Sequence, residues 1–128
     1  MNEEREWYPY EGGGSMGKRG PANGNVVRDE EWGDAEEPED ADARLTLETL
    51  ADGGFAVTAN LYGGWLQETA RFADEAGAAA AYTRAAGELS RLAGFIPEED
   101  ERDMAAAIET LNREVAAFAV RFGGEPTL

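Results

Sequence analysis

The 128-residue chain has no cysteine and no histidine. The first absence excludes disulfides and thiolate metal sites. The second removes the commonest general base, the commonest zinc ligand and the side chain that changes charge near neutral pH. Bases are scarce as well: eleven lysines and arginines stand against 27 acids, giving a net charge of -16. Such a surface disfavours nucleic acid and anionic lipid, which are themselves negative. It suits a basic protein partner or mimicry of nucleic acid, beside its plainer consequence of solubility. No apolar run approaches the ~20 residues of a membrane span. The first residues show neither the basic nor the apolar region of a secretory leader. The expected location is the cytoplasm, or a host cytoplasm or virion if the chain is phage-encoded. No motif names a family, a reaction, a cofactor or a metal.

What is present divides unevenly. Residues 1–43 hold 13 acids against 4 bases, whereas residues 44–128 hold 14 against 7 and carry the apolar patterning. The expected organisation is a disordered or partner-ordered acidic arm over 1–43, a small α+β domain over 44–122, and a tail over 123–128. In the arm, Trp7, Tyr8 and Tyr10 sit among acids, with Pro9 breaking any helix. Large aromatics in such a setting read as anchors for a partner's pockets. Residues 29–42 contain nine acids around Trp32, a density that self-repels and favours an extended tether or docking on an Arg/Lys-rich surface. The spacing of these acids does not fit a calcium loop.

Residues 12–18 fit the phosphate-loop pattern through Lys18. Arg19 stands where Ser or Thr would hold magnesium, and no helix can start in the Gly20, Pro21, Ala22, Asn23, Gly24 string that follows. This stretch reads as a flexible spacer.

Alternation over 44–50, 55–62 and 65–72 predicts three strands. Phe55, Val57, Ala59 and Leu61 lie on one face, as do Leu66, Ala70 and Phe72. Gly63 and Gly64 predict a two-residue hairpin turn. Asp74 predicts the N-cap of a helix running to about Gly94, and Pro97 the first turn of a second. In that second helix Met104, Ile108, Leu111, Val115, Phe118 and Phe122 are spaced 4, 3, 4, 3, 4. The seam serves either packing on the rest of the chain or pairing of two copies through Met104, Ile108, Leu111, Val115 and Phe118. Gly123 and Gly124 are read as the helix cap. The expected fold class is therefore α+β, a three-stranded antiparallel meander followed by two helices (βββαα), preceded by a long acidic N-terminal arm. Such a sheet leaves one face open, with Tyr62, Trp65 and Leu50 on it or at its rim.

Without His or Cys, and with its acids in the arm, at turns and on helix surfaces, the chain reads as non-enzymatic. The expected function is docking on a larger, basic protein through the arm, the open sheet face, or both. The candidate contact residues are Trp7, Tyr8, Tyr10, Asp29, Glu30, Glu31, Trp32, Asp34, Tyr62 and Trp65. A phage or mobile-element inhibitor, or a nucleic-acid mimic, is one form of this. The alternative is a structural component of an assembly such as a virion, with the arm wrapping a neighbouring subunit. Housekeeping chaperone or immunity roles, and an arm folded back on Trp65, complete the set.

Overall fold

Three strands form where the sequence alternates: β3 (Ala43–Thr49), β4 (Phe55–Leu61) and β5 (Leu66–Phe72). They pair antiparallel in sequence order, with Leu45 opposite Ala59 and Val57 opposite Ala70, so the apolar set shares one face. The computed structural model describes residues 5–123 and the backbone of residues 125–126. On the apolar face lie two helices, α1 (Glu75–Ala93) and α2 (Met104–Phe122). The core between the layers is built from Leu45, Val57, Leu61, Tyr82, Leu89 and Leu111, all essentially inaccessible to solvent. The protein is α+β.

The acidic arm is largely not an arm. β1 (Glu6–Pro9) and β2 (Asn25–Gly33) extend the sheet to five strands where the patterning suggested three. Trp7 pairs with Trp32 across β1 and β2, and β2 runs the length of β3 from Asn25 opposite Thr49 to Trp32 opposite Ala43. The expected boundary at residue 43 therefore falls inside one sheet. Of the acids flanking the first aromatic cluster, Glu3 and Glu4 lie outside the described residues. A two-residue segment, β6 (Glu125–Pro126), pairs with the outer edge of β5; Gly124, Thr127 and Leu128 lie outside the described residues.

Three smaller expectations shift. The β4–β5 connection spans four residues, 62–65, with Gly63 and Gly64 both at positive φ, and Trp65 is drawn partly into the core. α2 begins at Met104, not at Pro97, with the Asp103 carboxylate accepting from the Ala106 amide at 3.1 Å. Like charges three and four residues apart over 98–103 oppose a helix there, and the chain waits for a capping aspartate. The α2 seam turns inward: Leu111, Val115 and Phe118 belong to the chain's own core, while Met104 is exposed. Asp74 caps α1 as expected, accepting from the Gly77 amide at 2.7 Å.

The second sheet face is not open either. Thr46, Glu48, Ala56 and Thr58 on it are all buried. Residues 10–24 fold over its β2–β3 part, held there by polar contacts.

Candidate functional site: an acidic groove beside a buried polar network

The acids of β2 alternate across the sheet and are consumed on both faces. Asp29 is buried and accepts four hydrogen bonds: from Arg44 Nε at 2.9 Å and Nη2 at 2.7 Å, from Ser15 Oγ at 2.8 Å and from Thr46 Oγ1 at 3.0 Å. The Asp29 carboxylate holds the Arg44 guanidinium above its usual value despite burial, which acts the other way. The same guanidinium stacks on Tyr10, 3.8 Å from the ring centroid. Glu31, also buried, accepts from Tyr62 Oη at 2.6 Å and Tyr8 Oη at 3.4 Å. Burial, then the Glu31 carboxylate, push the Tyr8 phenol up to about 12 and raise Tyr62 in the same way. Both remain donors at neutral pH. On the helix-facing side, Glu30 accepts from Tyr82 Oη at 2.7 Å and from Arg28 Nε at 3.1 Å, and Arg28 lies over the Tyr82 ring. One acidic run thus ties β2 to β3, to the covering loop and to α1.

The glycine-rich stretch that mimics a phosphate loop holds the chain's own carboxylate. Glu48, fully buried, accepts from the Ala22 amide at 2.9 Å and the Gly24 amide at 2.9 Å. A Cβ on Gly20 would lie 2.4 Å from Glu48 Cδ, and one on Gly24 would lie 2.3 Å from the Thr49 carbonyl oxygen. Only glycine lets the loop approach this closely.

The remaining candidates divide. Trp7 and Trp32 pack on each other, with ring centroids 5.7 Å apart, and both lean on the core while keeping partial exposure. Trp65 is likewise half-buried. Asp34 accepts from the Glu36 amide at 2.9 Å within a turn. Tyr8, Asp29 and Glu31 are buried, and the polar groups of Tyr62 and Glu30 are engaged as described, so most of the predicted contact set builds the fold.

What the structure brings together instead is part of two other acidic runs. The turn after β2 and the connection after α1, sixty residues apart in sequence, line one groove of about 670 Å³. Its apolar surface comes from Trp32, Ile96 and Pro97, and its carboxylates are Asp40, Asp42, Glu98 and Glu99. Asp42 is paired with Arg5. Asp40, Glu98 and Glu99 have no ion pair with another described residue. Of these residues only Trp32 stands among the predicted contact residues. The acidic runs themselves are visible in the sequence, but nothing in it says that they meet. Among the described residues no group of three carboxylates is arranged to hold a metal ion, and no helix is long and apolar enough to cross a membrane. No protein-family model matches the chain, and no curated protein or solved structure shows significant similarity to it.

Proposed function

We propose that this chain is a non-enzymatic interaction protein that docks on a basic surface of a larger protein through the groove between Trp32 and Pro97. The observation that carries this reading is the convergence of two acidic segments on one partly apolar groove. Residues 34–42 and 98–103 together contribute eleven acids against one base. The groove itself is lined by four carboxylates against one base, Arg5, and a concave surface dominated by one charge sign focuses its field and speeds encounter with an oppositely charged partner. The half-exposed Trp32 supplies a rigid aromatic contact of the kind that dominates binding energy. Free carboxylates around it select Arg or Lys side chains flanking an apolar residue. Inhibition by presenting carboxylates where a nucleic acid would place phosphates, as in a phage-encoded or mobile-element protein, is the sharpest form of this function. The alternative in which an arm wraps a neighbouring subunit has little arm to draw on, because residues 6–9 and 25–33 are strands of the sheet.

The test is a pull-down from host lysate with the full chain and with the triple variant Asp40→Lys, Glu98→Lys, Glu99→Lys, each at low salt and at about 0.5 M salt, where screening shortens to a few ångströms. A partner held at low salt, released at high salt and missed by the variant is the expected result. Identical capture by both proteins at both salt concentrations refutes the reading.

A further inference from the structure

A second cavity, sharing no residue with the acidic groove, opens between α1 and α2 at the end of β5 and measures about 420 Å³. Phe72, Phe118 and Phe122 line it, the last two stacked with centroids 5.2 Å apart. Its volume falls in the range of small-molecule sites, ~300–1,000 Å³.

Two details set it apart from a packing defect. The first is Gly87, in the interior of α1 and in the cavity wall. A mid-helix glycine costs roughly 0.5–1 kcal/mol relative to alanine. Such a cost is usually explained by a close approach, but here an added Cβ would meet nothing within 4 Å. Its structural consequence is an open wall. The second is charge. The cavity's charged residues are Arg84, Arg121 and Glu88, a net of +1 in a chain of net -16. Glu88 is occupied by Arg121 and by Arg91, the latter at 3.3 Å. Burial works against its ionisation, but the two guanidiniums outweigh it and hold Glu88 below the usual carboxylate range. Arg84, one helical turn before Glu88, therefore has no carboxylate partner among the described residues and stands exposed at the rim.

We propose that this cavity binds a small hydrophobic carboxylate, its aromatic or aliphatic body among the three phenylalanines and its acid group on Arg84. A guanidinium fork matches a carboxylate in two parallel hydrogen bonds, whereas the one uncharged polar side chain in the lining, Thr83, already donates its hydroxyl to the Ala79 carbonyl. The site is independent of the acidic groove, and its failure leaves that reading untouched.

The test uses the full chain, isotope-labelled, titrated with 4-phenylbutyrate and separately with the neutral 4-phenylbutan-1-ol. Amide shifts at Ala81, Ala85 and Gly87 should saturate with the acid, whose affinity should exceed that of the alcohol by about tenfold or more, the scale of a hydrogen bond to a charged group. Arg84→Gln, a surface change, should abolish the preference for the acid and leave the alcohol's affinity unchanged. Gly87→Leu should remove binding of both while helix content by circular dichroism holds. Equal affinity for acid and alcohol, an undiminished preference in Arg84→Gln, or no saturating shift at these amides up to millimolar ligand each overturns the proposal.

Discussion

Replacing Asp29 with alanine separates a structural acid from a docking acid. In the structure this carboxylate accepts two bonds from Arg44 and one each from Ser15 and Thr46, and its side chain is 1% exposed while that of Arg44 is 23% exposed. Removing one partner of a buried pair costs about 3–5 kcal/mol, because the other charge is left without compensation. Arg44 keeps some solvent and its Tyr10 stack, which places the pair near the lower bound. The two hydroxyls add about 1 kcal/mol each if they stay dry and less if water enters the vacated space. The expected loss is therefore about 3–5 kcal/mol. A chain of this size has a total stability on the order of 5–10 kcal/mol. Asp29→Ala should therefore lower the urea midpoint, followed by tryptophan fluorescence and far-UV circular dichroism, by at least about a third of its wild-type value. Asp29→Asn keeps the acceptor facing Arg44 Nε and Thr46 but turns an amide toward Arg44 Nη2, so it should fall between wild type and Ala. Glu36→Ala, at an exposed position in the neighbouring acidic turn, should change stability by no more than about 0.5 kcal/mol. If Asp29→Ala unfolds at the wild-type midpoint, the network contributes nothing net and Asp29 returns to the set of free acids.

Truncation to residues 44–128 should yield a chain with no cooperative unfolding transition. The cut removes β1 and β2, and with β2 one of the two strands paired to β3, together with the Ala22 and Gly24 amides that hold Glu48 and the partner of Arg44. A folded monomer with the full chain's helix signal would show that the first 43 residues are dispensable. Glu68 offers a pH test. It faces the helix layer between β4 and α2, buried, with no hydrogen bond to another described residue, and burial raises its pKa above the ordinary 4.5. The fold therefore favours its protonated form. That contribution is fully present below about pH 4.5 and is lost as pH rises through the raised folded value. Glu68→Gln removes this dependence. The stability of the variant relative to wild type should therefore increase across that interval and stay level above it; a difference that does not vary with pH refutes the assignment.

How much of this was legible in the chain depends on which signal each element carries. β3, β4 and β5 alternate apolar and polar residues, α1 has its aspartate cap, and the α2 seam has its 4, 3, 4, 3, 4 spacing. These are local patterns, and they mark the elements to within a few residues. β2 carries no such pattern, because both of its faces bear acids. Asp29 and Glu31 are acceptable in a sheet only with Arg44, Thr46, Ser15, Tyr8 and Tyr62 opposite them, and Glu30 only with Tyr82 above it. Those partners lie 14 to 52 residues away in sequence. A strand stabilised by cross-strand polar pairs is invisible to a reading based on hydrophobic period, and its charge density imitates a tether. Pro9 and the glycines of residues 12–24 reinforced that impression, though what they supply is a loop able to lie flat on the sheet.

The same partition decides where function can reside. Net charge is a sum over groups in two different situations. Asp29, Glu30, Glu31 and Glu48 are spent on hydrogen bonds inside the protein, and Asp29, Glu31 and Glu48 are buried as well. Asp40, Glu98 and Glu99 have no ion pair with another described residue, and they are gathered in one groove. A chain selected only for solubility gains nothing from gathering such groups around a half-exposed tryptophan, because dispersed charge solubilises as well at lower electrostatic cost. The concentration of free acid beside Trp32, rather than the acidity of the chain as a whole, is therefore what points to a basic partner.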